Sequence, residues 1–163
     1  MQFPDSYFED EVREGFYISS LMKRAWAAQM EVLEAVRAIC DAHHIRYFAE
    51  WGTLLGVVRH GGRIPWDDDI DISMPRPDYN VFKQVFDRET ENSRYELRTG
   101  MKGNVAIPYI QVVHRDTITQ KKGRRDAFAQ ALWVDVFPVD GAGDSEEQRR
   151  EVYAKYWDKI EES

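Results

Sequence analysis

The sequence predicts an α+β fold in which a mixed β-sheet is flanked by helices. Three observations predict it. Apolar residues recur at helical spacing from Ser19 or Ser20 to His43 or His44. Shorter stretches alternate with the period of two that marks strands, at Ile45 to Trp51, Asp67 to Ile72, Tyr95 to Thr99, Val105 to His114 and Leu132 to Pro138. A second helical stripe, over Asp78 to Glu89, separates the earlier strands from the later ones.

The 163 residues suffice for one domain with a core. A net charge of −7 argues against nucleic acid as a partner. Cys40 is the one cysteine, so no disulfide can form within the chain, and its place on a helix reads as a buried thiol. No apolar run reaches membrane-spanning length. The acidic start MQFPDSYFEDE lacks the pattern of a secretory leader. A soluble, cytoplasmic enzyme is expected.

Residues 1–18 read as a loosely structured lead-in, with Phe3, Tyr7, Phe8, Phe16 and Tyr17 able to pack onto the domain. Residues 19–144 read as the core domain, opened by a serine-capped helix. On that helix Met22, Trp26, Leu33, Val36 and Cys40 form an apolar stripe that Met30 and Val32 widen. His43 and His44 at its end favour the helix dipole. In the first strand, Ile45 to Trp51, Arg46 and Glu50 are the expected exposed positions. The helix over Asp78 to Glu89 would be capped by Asp78 and would bury Tyr79, Phe82, Val85 and Phe86. Arg76 is close enough to the acidic strand to pair with it. Pro108 marks an edge or a bulge in its strand. Asp140-Gly141 reads as turn chemistry. Residues 145–163 read as a final helix beginning at Ser145, with a stripe of Val152, Tyr153, Tyr156, Trp157 and Ile160 that finds little left to pack against.

The chemistry is concentrated between Trp51 and Pro75. Asp67, Asp69 and Asp71 are spaced by two, so on a strand their carboxylates share one face while Ile70 and Ile72 anchor the other. Asp68 would point away. Carboxylates so placed repel one another unless a cation lies between them, and Mg²⁺ or Mn²⁺ suits such an oxygen cluster. A calcium loop with Asp67 at its first position fails at the sixth, where Ile72 stands in place of glycine. Before the acids, Gly52-Thr53 at a helix start offers N–H groups and a hydroxyl to an anion, with Arg59, His60 and Arg63 beyond. In Leu132 to Pro138, Asp135 shares a face with Trp133 and Phe137. An acid in an otherwise apolar strand needs a cation or hydrogen bonds, which the Asp69 and Asp71 cluster with its metal would supply. Phosphate-binding groups beside metal-binding acids point to phosphoryl or nucleotidyl transfer. Trp51 and Trp66 flank the site and read as packing residues, with stacking on a base or on choline as the alternative.

GTLLG (Gly52 to Gly56), Arg59-His60, Gly62, IPWDDDIDI (Ile64 to Ile72), MPRPDY (Met74 to Tyr79) and VDVFPVDG (Val134 to Gly141) together resemble the LicD family. That family includes the fukutin-related phosphotransferases and belongs to the nucleotidyltransferase-fold superfamily. The resemblance implies a nucleotidyltransferase-like core and a CDP-activated alcohol as donor, such as CDP-choline or a CDP-alditol. It implies transfer of the alcohol phosphate to a hydroxyl of a glycan or lipid-linked sugar, as in a cell-surface polysaccharide, with CMP leaving. The expected catalytic residues are Asp69, Asp71 and Asp135, and the metal ligands are these three with Asp67. The expected substrate-binding residues are Gly52, Thr53, Arg59, His60, Arg63, Lys121 and Arg124. Proteins of this kind continue further, so the chain reads as a shortened form or a minimal relative. Two alternatives stand beside this reading: nucleotidyl transfer with release of pyrophosphate, and an inactive nucleotide-binding remnant.

The basic stretch Thr117 to Asp126, with Lys121, Lys122, Arg124 and Arg125, reads either as a solvated hairpin tip or as a contact to phosphate. Lys121→Ala combined with Arg124→Ala is expected to weaken donor binding in a titration. Unchanged binding would assign the stretch to solvent.

Overall fold

Helix α1 (Ser20–His43) begins where the Ser19 hydroxyl accepts a hydrogen bond from the Met22 N–H at 3.2 Å, as the sequence predicts. It ends at His44, which adopts a left-handed conformation with φ 54° and bonds back to the Cys40 carbonyl. A computed structural model of the chain describes residues 2–102, 105–119 and 130–161.

After α1 come β3 (Phe48–Ala49), α2 (Trp51–His60), β4 (Asp71–Pro75), α3 (Arg76–Glu89), β5 (Tyr95–Lys102), β6 (Val105–Thr119), β7 (Gln130–Val139) and α4 (Glu146–Glu161). Strands β3 to β7 form one five-stranded sheet in the order β3-β4-β7-β6-β5. Only the β4–β7 pair is parallel, so the sheet is mixed and the fold is α+β. Helices α1 and α3 cover one face. There Val32, Val36, Ile39 and Cys40 of α1 and Tyr79, Phe82, Val85 and Phe86 of α3 meet Ile72, Met74, Ile110, Val112, Val134 and Val136 of the strands. Burial pushes the Cys40 thiol up to about 12, so it stays a neutral core group.

Several expectations are corrected. The lead-in is ordered: β1 (Glu11–Arg13) pairs antiparallel with β2 (Phe16–Ile18), and Ile18 is fully buried. It docks on α1 because Lys23, itself buried, reaches Glu11 at 2.9 Å. The strand expected over Ile45 to Trp51 shrinks to two residues, since α2 already starts at Trp51. The acidic strand starts only at Asp71, leaving Asp67 to Ile70 in irregular backbone. Asp78 does not cap α3; it accepts from the backbone N–H of Arg46 at 3.0 Å and from its guanidinium at 2.6 Å. Arg76 pairs with Asp140 rather than with the acids of β4, which gives Asp140 a role beyond turn chemistry. Pro108 does sit at a bulge, as the sequence predicts, though in an interior strand: Thr99 pairs with Ile110 and Gly100 with Ile107, leaving Pro108 and Tyr109 outside that ladder. On α4, capped by Ser145, Val152 and Tyr153 are exposed, and the side chains of Tyr156, Trp157 and Ile160 lie outside the described residues. Among the described residues no helix is long and apolar enough to cross a membrane.

Phe82 is fully buried against Phe86, with ring centroids 5.2 Å apart. Phe82→Ala is expected to cost about 3–5 kcal/mol of unfolding free energy in urea titration. A loss below about 1 kcal/mol would contradict this packing of α3 on the sheet.

Candidate active site

The parallel register sets Asp71 of β4 opposite Asp135 of β7, and the antiparallel register sets Gln111 of β6 opposite Asp135 from the other side. Because Ile72, Met74, Val134 and Val136 fill the core, the alternate residues Asp71, Ser73, Asp135 and Phe137 occupy the opposite face. Asp69 arrives from the segment that leads into β4. Ligand oxygens of Asp69, Asp71 and Asp135 all lie within 4.8 Å of one another. Asp71 and Asp135 are buried, at 8% and 7% exposure.

Each acid is held. The two carboxylate oxygens of Asp135 accept from Gln111 Nε2 at 2.8 Å and from Trp133 Nε1 at 2.9 Å. The Asp71 N–H donates to the Thr53 hydroxyl oxygen at 2.9 Å, which ties α2 to β4. The Ser73 hydroxyl donates to Glu50 at 2.7 Å. No motif in the sequence marks Gln111 and Trp133 as site residues. The available signal is a glutamine and a tryptophan on the alternation face of Asp135 and its neighbouring strand.

The electrostatics are those of an acid cluster short of positive charge. Burial, and then the charges of Asp69 and Asp135, push the Asp71 carboxyl up to about 7. Burial and then the charges of Asp67, Asp68 and Asp135 raise Asp69, with Arg63 opposing. Tyr109 is raised by burial and by the same three carboxylates, Asp135, Asp71 and Asp69. Converging oxygen ligands from three acids, with Asp69 and Asp71 raised in proton affinity, fit a hard divalent cation such as Mg²⁺ or Mn²⁺.

The remaining expected residues separate into groups. Asp67 closes a turn, its N–H bonding to the Ile64 carbonyl at 3.1 Å around Pro65. Its carboxylate lies against Gly52: a Cβ on Gly52 would stand 2.6 Å from Asp67 Oδ2. Asp67 clusters with Asp68 and Asp69 rather than with Asp71 and Asp135, so Asp68, expected to point away, belongs to an acidic group. Gly52 and Thr53 lie in the first turn of α2, at a helix start as the sequence predicts, with Trp51 held at φ 39°. Arg63 is largely buried, with its guanidinium over the Trp26 ring and Nη2 donating to the Asp69 carbonyl at 2.6 Å. Burial lowers its pKa, and the charges of Asp67, Tyr7, Asp69 and Asp68 oppose that shift. Through Nη2 it braces the acidic segment, while Nε and Nη1 have no hydrogen-bond partner among the described residues. His60 donates from Nε2 to Glu14 at 3.1 Å and accepts from Arg59 Nε at Nδ1, so its described contacts lead to the N-terminal hairpin rather than to an acid of the cluster. Arg59 is exposed beside it. Lys121 and Arg124 lie outside the described residues. Trp51 and Trp66 are half-exposed; Trp51 contacts Phe137 at 4.4 Å and Trp66 lies at the edge of His60 and Phe16.

Asp71 predicts a pH dependence. Its folded-state pKa of about 7 lies above its unfolded value of 3.8, so the native state binds the extra proton. Its contribution to stability is therefore full below pH 4 and is lost as pH rises toward 7. In metal-free buffer Asp71→Asn is expected to be more stable than the parent at pH 7.5, by about 1–2 kcal/mol once solvent screening is allowed for. The difference should shrink as pH falls and vanish only below pH 4. A gap that persists at low pH would rule out this origin.

Residues 44–153, more than half of the chain, match the family described as LicD/FKTN/FKRP, nucleotidyltransferase domain. Lipopolysaccharide cholinephosphotransferase LicD of Haemophilus influenzae is 34% identical over 117 residues, which is 69% of this chain and 42% of that protein. Ribitol 5-phosphate transferase FKRP of Homo sapiens is 38% identical over 58 residues, 36% of this chain and 12% of that protein, and the Mus musculus protein matches to the same extent. The chain thus spans less than half the length of these relatives. The domain match, running through the acidic segment of β4 and the Asp135 strand, shows that this chain belongs to the LicD/FKTN/FKRP nucleotidyltransferase-domain family.

Proposed function

We propose that the chain is the nucleotide-donor part of a metal-dependent phosphotransferase. It moves an alcohol phosphate from a CDP-activated donor to a glycan hydroxyl. The convergence of Asp69, Asp71 and Asp135 carries this reading. The relatives named as cholinephosphotransferase and ribitol 5-phosphate transferase support a phospho-alcohol as the group moved.

Asp69, Asp71 and Asp135 would hold Mg²⁺ or Mn²⁺, with Asp67 as a further candidate ligand. When bound, the cation supplies positive charge that offsets the donor diphosphate and favours departure of CMP. The acceptor oxygen forms a bond to the phosphorus that carries the alcohol. The bond from that phosphorus to the bridging oxygen breaks, and CMP leaves with that oxygen. The acceptor's proton passes to a site carboxylate. Asp135 suits this role because Gln111 and Trp133 fix its orientation.

Thermal unfolding with Mg²⁺ and each of CDP-choline, CDP-glycerol, CDP-ribitol, CTP and ATP tests the proposal. A ligand at a hundred times its dissociation constant stabilises by about 2.7 kcal/mol. For a chain this size that is a rise of roughly 5–10 °C. A Mg²⁺-dependent rise with one CDP-alcohol, followed by CMP as product, is the expected result. A rise with CTP or ATP alone, with pyrophosphate as product, would replace it with nucleotidyl transfer. Asp69→Ala is expected to remove Mg²⁺ affinity in calorimetry while the far-UV spectrum stays native. Retained affinity would sink the site assignment.

A further inference from the structure

Five consecutive backbone carbonyls, from Asp67 to Asp71, each accept a hydrogen bond from elsewhere in the chain. The last two belong to the sheet: Ile70 O accepts from the Asp135 N–H at 2.9 Å, and Asp71 O from the Glu50 N–H at 3.0 Å. The first three accept from side chains. Asp67 O accepts from Trp26 Nε1 at 3.1 Å, Asp68 O from Gln29 Nε2 at 2.8 Å and Asp69 O from Arg63 Nη2 at 2.6 Å. A segment outside the ladder must find such partners, or leave buried carbonyls unsatisfied. Here they come largely from α1, where Trp26 and Gln29 stand three residues apart on one face.

Gln29 is unusual for its place. It is 2% exposed on the buried side of α1, where an apolar residue would normally sit. Its Nε2 is engaged, and its Oε1 has no hydrogen-bond partner among the described residues. A core that accepts an unsatisfied amide oxygen keeps the residue for its donor. Trp26 is also buried, and Arg63 lies over its ring at 5.3 Å, so two of the three donors pack together.

We propose that Trp26 and Gln29 are positioning residues: by holding the carbonyls of Asp67 and Asp68, they set where the Asp69 carboxylate meets those of Asp71 and Asp135. The proposal rests on reading these acids as the metal site, and it assigns α1 a part in that site beyond its share of the core. Partners one step removed from a metal typically change affinity about 10- to 100-fold when removed.

The test uses Gln29→Leu and Trp26→Phe, which delete the donors and keep most of the volume. Val32→Ala, a fully buried α1 position, serves as the control for lost stability. Mn²⁺ affinity is measured by calorimetry, and amide hydrogen exchange of residues 68–71 is measured without metal. The expected result is Mn²⁺ binding weakened about 10-fold or more in both donor variants at a native far-UV spectrum. Val32→Ala should lose stability and keep its Mn²⁺ affinity. Donor variants that behave like Val32→Ala in both readouts would overturn the proposal, reducing both residues to core packing. If the parent binds no Mn²⁺, the metal reading fails and exchange alone decides. Faster exchange at residues 68–71 than in Val32→Ala upholds positioning, and equal exchange overturns it. Should Gln29→Leu fail to fold, Trp26→Phe carries the same comparison.

Discussion

Two carboxylates set opposite one another in a parallel strand pair repel, and the surroundings of Asp71 and Asp135 are built to hold them there. Charges about 4–5 Å apart at a protein surface repel by about 1–4 kcal/mol. On the reverse of the same two strands Ile72, Met74, Val134 and Val136 are almost fully buried. Each such side chain contributes about 1.5–3 kcal/mol. The apolar face therefore outweighs the repulsion and keeps the register. Hydrogen bonds from Gln111 and Trp133 then fix the Asp135 oxygens, and the Thr53 hydroxyl fixes the backbone of Asp71. The strain is electrostatic and local, and a bound divalent cation would offset it.

The sequence made the framework legible where pattern and local chemistry agree. Ser19 and the 3.6-residue stripe bound α1 correctly, and the alternation around Asp135 placed it opposite the core face. Reading was poorer where the outcome depends on distant partners. Alternating Asp and Ile from Asp67 looks like a strand, yet the ladder begins only at Asp71 because the carbonyls before Ile70 are taken by Trp26, Gln29 and Arg63. Nothing near these donors in sequence announces that. The hairpin of β1 and β2 was equally invisible, since strands of three residues form only when Lys23 and α1 receive them. The basic residues after the glycine turn looked alike as phosphate ligands. In the fold they diverge: Arg63 turns inward, His60 joins Glu14, and Arg59 stays exposed.

The family match begins at residue 44, just after α1 ends at His43. The helix that supplies two of the donors to the acidic segment therefore precedes the matched region. The matched region holds the acids, and α1 holds their backbone in place. Family membership and site geometry thus describe overlapping but different parts of the chain.

The strand order has a consequence for synthesis. Strands β4 and β7 are neighbours in the sheet, but α3, β5 and β6 are made between them. A nascent chain carries Asp69 and Asp71 for several seconds, at ordinary elongation rates, before Asp135 emerges. During that interval β4 has only β3 beside it, and its other edge is open to pairing with a foreign strand. When β7 inserts, it covers that edge and completes the acid triad in the same step. Closure of the sheet and assembly of the acid cluster are one folding event.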